Sequence, residues 1–257
     1  MSDPSPKAKV RAVLECMETG DLSALQYIHP TRFRQHNLML PDGVEGVLGV
    51  LRSQPPGTFK ARVIRLFQDG DHVFAHTEYD FFGPRIGFDV FRFEDDLIVE
   101  HWDNLRPVLP PNRSGRTATD GPVHSIDVRR TQASRRIARD FVEQNWLHRR
   151  NTYASFIRDD RYVQHNPAGA DGLSSFLQTL VQLEREGLVL QFSRVHKVLA
   201  EGEFALVVSE GVYGPGAGVP TAFYDLFHVQ DGFITEHWDV IEPIAPVHEH
   251  CHGNGKF

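Results

Sequence analysis

The sequence predicts an α+β protein made of two tandem cone-shaped domains. Each is a curved antiparallel sheet wrapped around N-terminal helices, and the pair packs as an internal pseudo-dimer. Three observations predict this. First, residues 89–107 recur as residues 225–243 without a gap. Nine of nineteen positions are identical (Asp89/Asp225, Phe91/Phe227, Asp95/Asp231, Ile98/Ile234, Glu100/Glu236, His101/His237, Trp102/Trp238, Asp103/Asp239 and Pro107/Pro243), so the chain is an internal duplication. Second, each copy closes a run of segments with helical spacing followed by strand-like segments, the order of an α+β domain. Third, 257 residues divide into two halves of ordinary domain size.

Taken in order, residues 1–6 read as disordered. Residues 7–19 read as an amphipathic helix, with Val10, Val13, Leu14 and Met17 at helical spacing. Gly20 ends it, and Asp21 caps a short helix over 22–27. After Phe33-Arg34-Gln35-His36-Asn37 and Asp42-Gly43, Val44, Val47, Leu48 and Leu51 mark a helix over 44–52, stopped by Pro55-Pro56-Gly57. Strands follow at 59–67, 72–82, 87–93 and 97–104, punctuated by turn residues. The stretch 106–130 is rich in Pro, Ser, Thr, Gly and Arg, shows no period and reads as a connection.

The second half repeats the plan. A helix over 132–148 carries Ile137, Phe141, Val142 and Trp146 on one side, and a short helix covers 153–156. Gln164-His165-Asn166 and Asp171-Gly172 repeat Gln35-His36-Asn37 and Asp42-Gly43. A helix over 173–186 and strands at 189–199 and 204–213 lead through a glycine-rich loop to the closing hairpin. The expected boundaries are a first domain at 7–108, a linker at 109–130, a second domain at 131–246 and a flexible tail at 247–257.

A formal net charge of −7 disfavours nucleic acid and anionic membranes as partners. No apolar run approaches a membrane span, and the N-terminus lacks the apolar core of a secretory signal. Cys16 and Cys251 lie far apart and suggest no disulfide framework, so a reducing, cytoplasmic setting is expected.

The motifs Gln164-His165-Asn166-Pro167, Asp171-Gly172, Asp231-Gly232 and Glu236-His237-Trp238-Asp239 resemble the SnoaL-like polyketide cyclase family, within the nuclear transport factor 2-like and ketosteroid-isomerase-like folds. The resemblance spans the second half nearly end to end and the first more weakly. Copy one has Asp96 where the family turn has Gly, and Leu38 where Pro follows the Asn. The second copy is therefore expected to keep more of any ancestral chemistry.

The resemblance implies acid/base chemistry with no cofactor and no metal on a small hydrophobic carbonyl compound: aldol-type cyclisation, or a related isomerisation or dehydration. It maps the acid/base carboxylate onto Asp225, and onto Asp89 in copy one. A carboxylate in an apolar strand needs a partner or a job. Asp225 either pairs with a neighbour such as His228, Arg194 or Lys197, or touches a ligand. His165 and His36 are candidate donors or turn-capping residues near the cone mouth. Glu210, equivalent to Glu78, is a candidate partner carboxylate or a half-exposed strand residue. Tyr213 and Tyr224 are candidate oxyanion donors or core residues.

Strand alternation from a two-residue turn at Asp231-Gly232 puts Asp225, Phe227, Glu236 and Trp238 on one face, so Trp238 (and Trp102 in copy one) would line the pocket. His237 and Asp239 would lie on the other face as packing residues, unless a bulge reverses the order. The tail His248-Glu249-His250-Cys251-His252 has metal-binding composition without a scaffold. The rival reading is a non-catalytic small-molecule-binding or protein-assembly module. In a third, one half is catalytic and the other structural. Fusing the two cones would make a single chain sufficient, as a monomer.

Overall fold

The computed structural model of the protein describes residues 3–53, 55 and 57–257. Of the segments expected to punctuate the chain, Pro56 lies outside the described residues, as do Met1 and Ser2 of the expected disordered start. Two compact units emerge: residues 1–107 with 245–257, and residues 108–244.

In the first unit, α1 (Pro6–Thr19) begins one residue before the expected start. Ser5 Oγ accepts from the Ala8 N–H and Pro6 occupies the first turn, where its missing N–H costs nothing. Gly20 closes the helix at φ 69, the left-handed conformation in which glycine pays no Cβ penalty. A 3₁₀ turn (Leu22–Tyr27) and α2 (Gly43–Arg52) complete the helical layer. The sheet contains β1 (Arg34–Gln35), β2 (Lys60–Asp69), β3 (His72–Asp80), β4 (Pro84–Glu94) and β5 (Leu97–Pro107), ordered β1-β5-β4-β3-β2. It is an antiparallel meander with one short parallel strand on its edge. Val10, Val13 and Leu14 of α1 pack with Val63, Ala75 and Phe91 of the sheet. Burying each such large apolar side chain contributes about 1.5–3 kcal/mol.

The second unit repeats this with α3 (Thr131–Phe141), α4 (Leu173–Arg185) and β6 (Val163–Gln164), β7 (Leu188–Glu201), β8 (Phe204–Pro215), β9 (Val219–Gln230) and β10 (Phe233–Pro243) in the order β6-β10-β9-β8-β7. The helix expected over 132–148 widens after Phe141 into a π-turn, Val142–Leu147. Asn145 Nδ2 donates to Phe141 O (3.2 Å), which helps to hold the wider turn. Both sheets are five-stranded and open, so each unit is α+β as expected.

Two details of the closing hairpins position everything that follows. Asp95 and Asp96 both take positive φ (49° and 66°), as do Asp231 and Gly232 (53° and 83°), so the tight turn survives the loss of its glycine in copy one. Lys9 Nζ bonds both the carbonyl and the carboxylate of Asp96 and holds the strained residue in place. Beyond each turn the register slips, between Arg92/Phe93 and Ile98/Glu100 in β4–β5 and between Ile234 and Glu236 in β10. One extra residue, Val99 or Thr235, is thereby unpaired. That bulge turns the rest of the strand over.

The segments expected to be a plain linker and a flexible tail are both held by hydrogen bonds. Asn112 Nδ2 donates to Gln164 O (2.6 Å), and the Glu203 carboxylate accepts from the Ile126 and Asp127 N–H groups (2.8 and 3.1 Å). The Cys251 N–H donates to Leu38 O (2.9 Å), and Lys256 Nζ donates to Asp103 O (2.7 Å). The His-rich tail is thus packed on the first unit.

Candidate active site

Because of the bulge, Asp239 faces Asp225 and His237 faces Phe227 across the β9–β10 pair. Asp225, Phe227, His237 and Asp239 therefore share the inner face. Trp238 and Glu236 turn to the outer face, reversing the expectation from regular alternation. Phe227 stacks on the His237 ring (4.9 Å, 18°) and fixes its plane.

His237 Nε2 lies 3.1 Å from Asp225 Oδ1, and its Nδ1 lies 3.2 Å from Gln164 Oε1. β6 pairs in parallel with β10 and sets Gln164 opposite His237. The Gln164 amide is oriented by its other bonds. The Asn166 N–H donates to Oε1 (2.9 Å), and Nε2 donates to Tyr162 Oη (2.8 Å). With Oε1 an acceptor, His237 Nδ1 carries a proton. Nε2 then faces Asp225 across one exchangeable proton, held by the imidazole or by the carboxyl.

Asp239 is held by Asn166 Nδ2, which donates to its Oδ2 (2.6 Å). Asp225 is 2% exposed, and its Oδ2 has no hydrogen-bond partner among the described residues. Burial pushes the Asp225 carboxyl up to about 6, against the opposing pull of the His237 hydrogen bond.

These side chains line a cavity of about 90 Å³ with Trp146, Leu180, Phe192, Tyr213 and Phe223. Trp146, Leu180, Leu183, Leu190 and Phe192 also line an adjoining, more open hollow of about 530 Å³. Tyr213, by sequence a candidate oxyanion donor or core residue, lines the smaller cavity. Burial raises its pKa, which favours the protonated, donating phenol.

Other expected site residues lie elsewhere. Tyr224 points to the outer face and is fully buried there. His165 also turns outward. Its ring stacks on Trp238 (4.4 Å, 8°), its Nε2 is 2.8 Å from Glu236 Oε2 and its Nδ1 is 2.9 Å from Thr117 O. Trp238 Nε1 donates to Asp120 O (3.1 Å). His36 likewise stacks on Trp102 (4.6 Å, 14°) and bonds Gly255 O through Nδ1 (3.0 Å). Neither His reaches its pocket carboxylate, because each follows the Gln of its edge strand and strand alternation sends it to the opposite face. Glu210 pairs with Ala222 on the outer face and contacts His196 Nε2 (3.2 Å). Glu78 bonds Arg62 at the surface. Neither partners the buried Asp.

The first unit repeats the core of the site. His101 Nε2 is 3.2 Å from Asp89 Oδ1, His101 Nδ1 is 3.0 Å from Gln35 Oε1, and Asn37 Nδ2 donates to Asp103 Oδ2 (2.8 Å). The cavity there is about 120 Å³. Gln164, Asn166, Gln35 and Asn37 hold the His and Asp side chains, although none of them stood among the candidate site residues; a short polar Asn at this place also suits a turn. Asn166 does both jobs, since its Oδ1 also accepts the Ala168 N–H (2.8 Å). The repeat of Gln-His-Asn in both halves was the available signal.

In each unit one His and two Asp bring ligand atoms within 4.8 Å of one another, a composition that suits a divalent cation. In the second unit, His237 Nε2 is spent on Asp225 and Asp239 Oδ2 on Asn166. A metal taking His237 Nε2 would have to displace its contact with Asp225 Oδ1.

Residues 10–101 match the model of the SnoaL-like domain. The chain carries a SnoaL-like domain. Its second unit has the same strand order and the same His-Asp geometry as this SnoaL-like first unit. Among solved structures, IdmH of Streptomyces antibioticus, a proposed polyketide cyclase, is 23% identical, with 40% of this chain and 92% of that chain covered and a TM-score of 0.33. An NTF2-like protein from Mesorhizobium loti is 22% identical, covering 46% and 97%, with a TM-score of 0.35. An LEH-like epoxide hydrolase of M. tuberculosis is 21% identical, covering 44% and 84%, also at 0.35. Likeness at this level carries no argument about activity. No curated protein matches the chain. No helix among the described residues is long and apolar enough to cross a membrane.

Proposed function

We propose that the second unit is an acid/base centre that removes a proton α to a carbonyl in a small hydrophobic compound, leading to aldol-type cyclisation or a related isomerisation or dehydration. The observation that carries this reading is the free Oδ2 of Asp225, a buried carboxylate oxygen on the wall of an apolar cavity. Desolvation makes that oxygen a stronger base than a surface Asp, and a pKa near 6 leaves it ionised at neutral pH.

In the step we infer, Asp225 Oδ2 takes the proton and the C–H electron pair becomes the enolate. Negative charge passes from carboxylate to enolate oxygen, where the Tyr213 phenol donates. His237, oriented by Gln164, shares its proton with Asp225 Oδ1 and sets how strongly the carboxylate holds the one it has gained. The proton then returns to carbon or oxygen to complete the reaction. This scheme needs no metal and no cofactor, so turnover should survive a chelator.

The test uses 5-nitrobenzisoxazole, a general probe for desolvated bases. A base takes its C–H proton, the freed pair completes a nitrile and the N–O bond breaks to release a coloured phenolate. The wild-type protein should accelerate this, with a rate that rises with pH through about 6. Asp225→Asn should lower the rate by roughly 10²-fold or more, the usual reach of one positioned base. A variant as fast as wild type removes Asp225 from the mechanism. The small volume beside Asp225, about 90 Å³, favours a second reading, a binding module. That reading gains if ligands bind both proteins equally and neither protein accelerates the probe.

A further inference from the structure

The two units differ at one place that decides whether the buried carboxylate is available. In the first unit, Tyr79 Oη donates to Asp89 Oδ2 (2.9 Å), while His101 holds Oδ1. Both carboxylate oxygens are engaged. In the second unit the corresponding Oδ2 of Asp225 has no hydrogen-bond partner among the described residues.

The registers show why. Ala75 pairs with Asp89 and Val207 with Asp225, so four residues further along β3 and β8 Tyr79 and Gly211 occupy the same place. Two residues before each Asp stand Gly87 and Phe223. Tyr79 lies over Gly87, where any Cβ would collide with its ring. In the second unit the large and small residues have changed sides: Phe223 stacks on Phe192 (4.2 Å, 29°), and Gly211 sits where β7 bulges between Phe192 and Arg194. A Cβ at Gly211 would strike the Gln191 carbonyl, so no tyrosine fits there.

We propose that Tyr79 locks the Asp89–His101 pair of the first unit, so that the chain has one working base, Asp225, and the identity of the residue at this single strand position decides which copy is open. The inference rests on the reading of Asp225 as a base. Tyr79 acts through Asp89 and is a positioning residue. Its phenol, buried beside a carboxylate, has its pKa raised well above the usual value, so it stays a donor and does not release its hold by ionising.

The experiment is a gain of function with the full chain and 5-nitrobenzisoxazole. Asp225→Asn should lose the rate, and Asp89→Asn alone should leave it unchanged. Adding Tyr79→Phe to Asp225→Asn removes the hydrogen bond while keeping the ring, and should restore at least tenfold over Asp225→Asn. The restored rate should rise with pH as a carboxylate ionises, and should vanish when Asp89→Asn is added. A second route is Tyr79→Gly with Gly87→Phe in the Asp225→Asn background, which transplants the pair found in the second unit.

Both variants staying at the Asp225→Asn rate with a wild-type melting profile would overturn the lock. So would an Asp225→Asn protein that keeps half the rate and loses it with Asp89→Asn, because the first site would then already be open. If the wild-type protein does not accelerate the probe at all, the acid/base reading has failed and the lock falls with it.

Discussion

Ionised Asp225 costs the folded chain stability, because burial raises its carboxyl pKa. Its carboxyl titrates near 6 in the folded state and near 3.8 when unfolded. Between those values the folded chain keeps a proton that the unfolded chain has released. The contribution of this group is therefore most favourable below about pH 4, falls as pH rises toward 6 and stays lost above. At about 1.4 kcal/mol per unit, the penalty reaches up to roughly 3 kcal/mol. Asp225→Asn should thus be close to wild type in stability at pH 4 and more stable at pH 8, a difference readable by urea unfolding. A gap that does not change with pH would mean that Asp225 ionises as easily folded as unfolded, and the raised basicity would go with it. Much of this residue was legible in sequence: a carboxylate inside Phe223-Tyr224-Asp225-Leu226-Phe227, repeated at Asp89, asks for a reason. Its actual partner was not legible. His237 looked as if it belonged to the opposite face, and that judgement depended on a strand staying regular.

At the scale of elements, the single bulge at Thr235 and its twin at Val99 separate the expected site from the observed one. Helices, strands and hairpins could be read from periodicity and turn residues, because those patterns record which face is buried. A bulge leaves no such record when the residues flanking it suit either face, as Glu236 and Trp238 do. The hold on the connection between the units is hidden for a related reason. A stretch without periodicity looks loose, yet its backbone can be held by side chains that lie far away in sequence. Glu203, in the turn between β7 and β8, shows this. Burial alone would raise its pKa, but hydrogen bonds from the Ile126 and Asp127 N–H groups and from Ser125 Oγ outweigh that and hold it below the usual value. A lowered carboxyl contributes stability above the unfolded value and loses it as pH falls through the folded one. Glu203→Ala should cost about 1–3 kcal/mol at neutral pH by leaving two backbone donors unpaired. It should also speed tryptic cleavage at Arg129 and Arg130. Unchanged cleavage would show that the segment is held by something else.

At the scale of the molecule, the two units carry separate cores, one around Val10, Val73 and Phe91 and the other around Phe141, Val207 and Phe227. The first is completed by the end of the chain. His252 Nε2 donates to Asn37 O and Asn254 Nδ2 to Gln35 O (3.0 Å each), while Gly255 O accepts from His36 Nδ1 (3.0 Å). These bonds fall on the Gln-His-Asn segment that orients His101. Removing residues 250–257 should therefore loosen the first unit, by a few kcal/mol if each lost bond is worth about 1. Cys16 offers a clean reporter. It is buried in the first core and burial pushes its thiol up to about 11, so it should be inert while that unit is closed. The chain has two cysteines and the truncation removes the other, so any thiol labelling reports opening of the first unit. Labelling of Cys16 should accelerate in the truncated chain while the Asp225-dependent rate on 5-nitrobenzisoxazole persists. If the rate falls in step with the labelling, the two units open together, and the first is needed to keep the second folded.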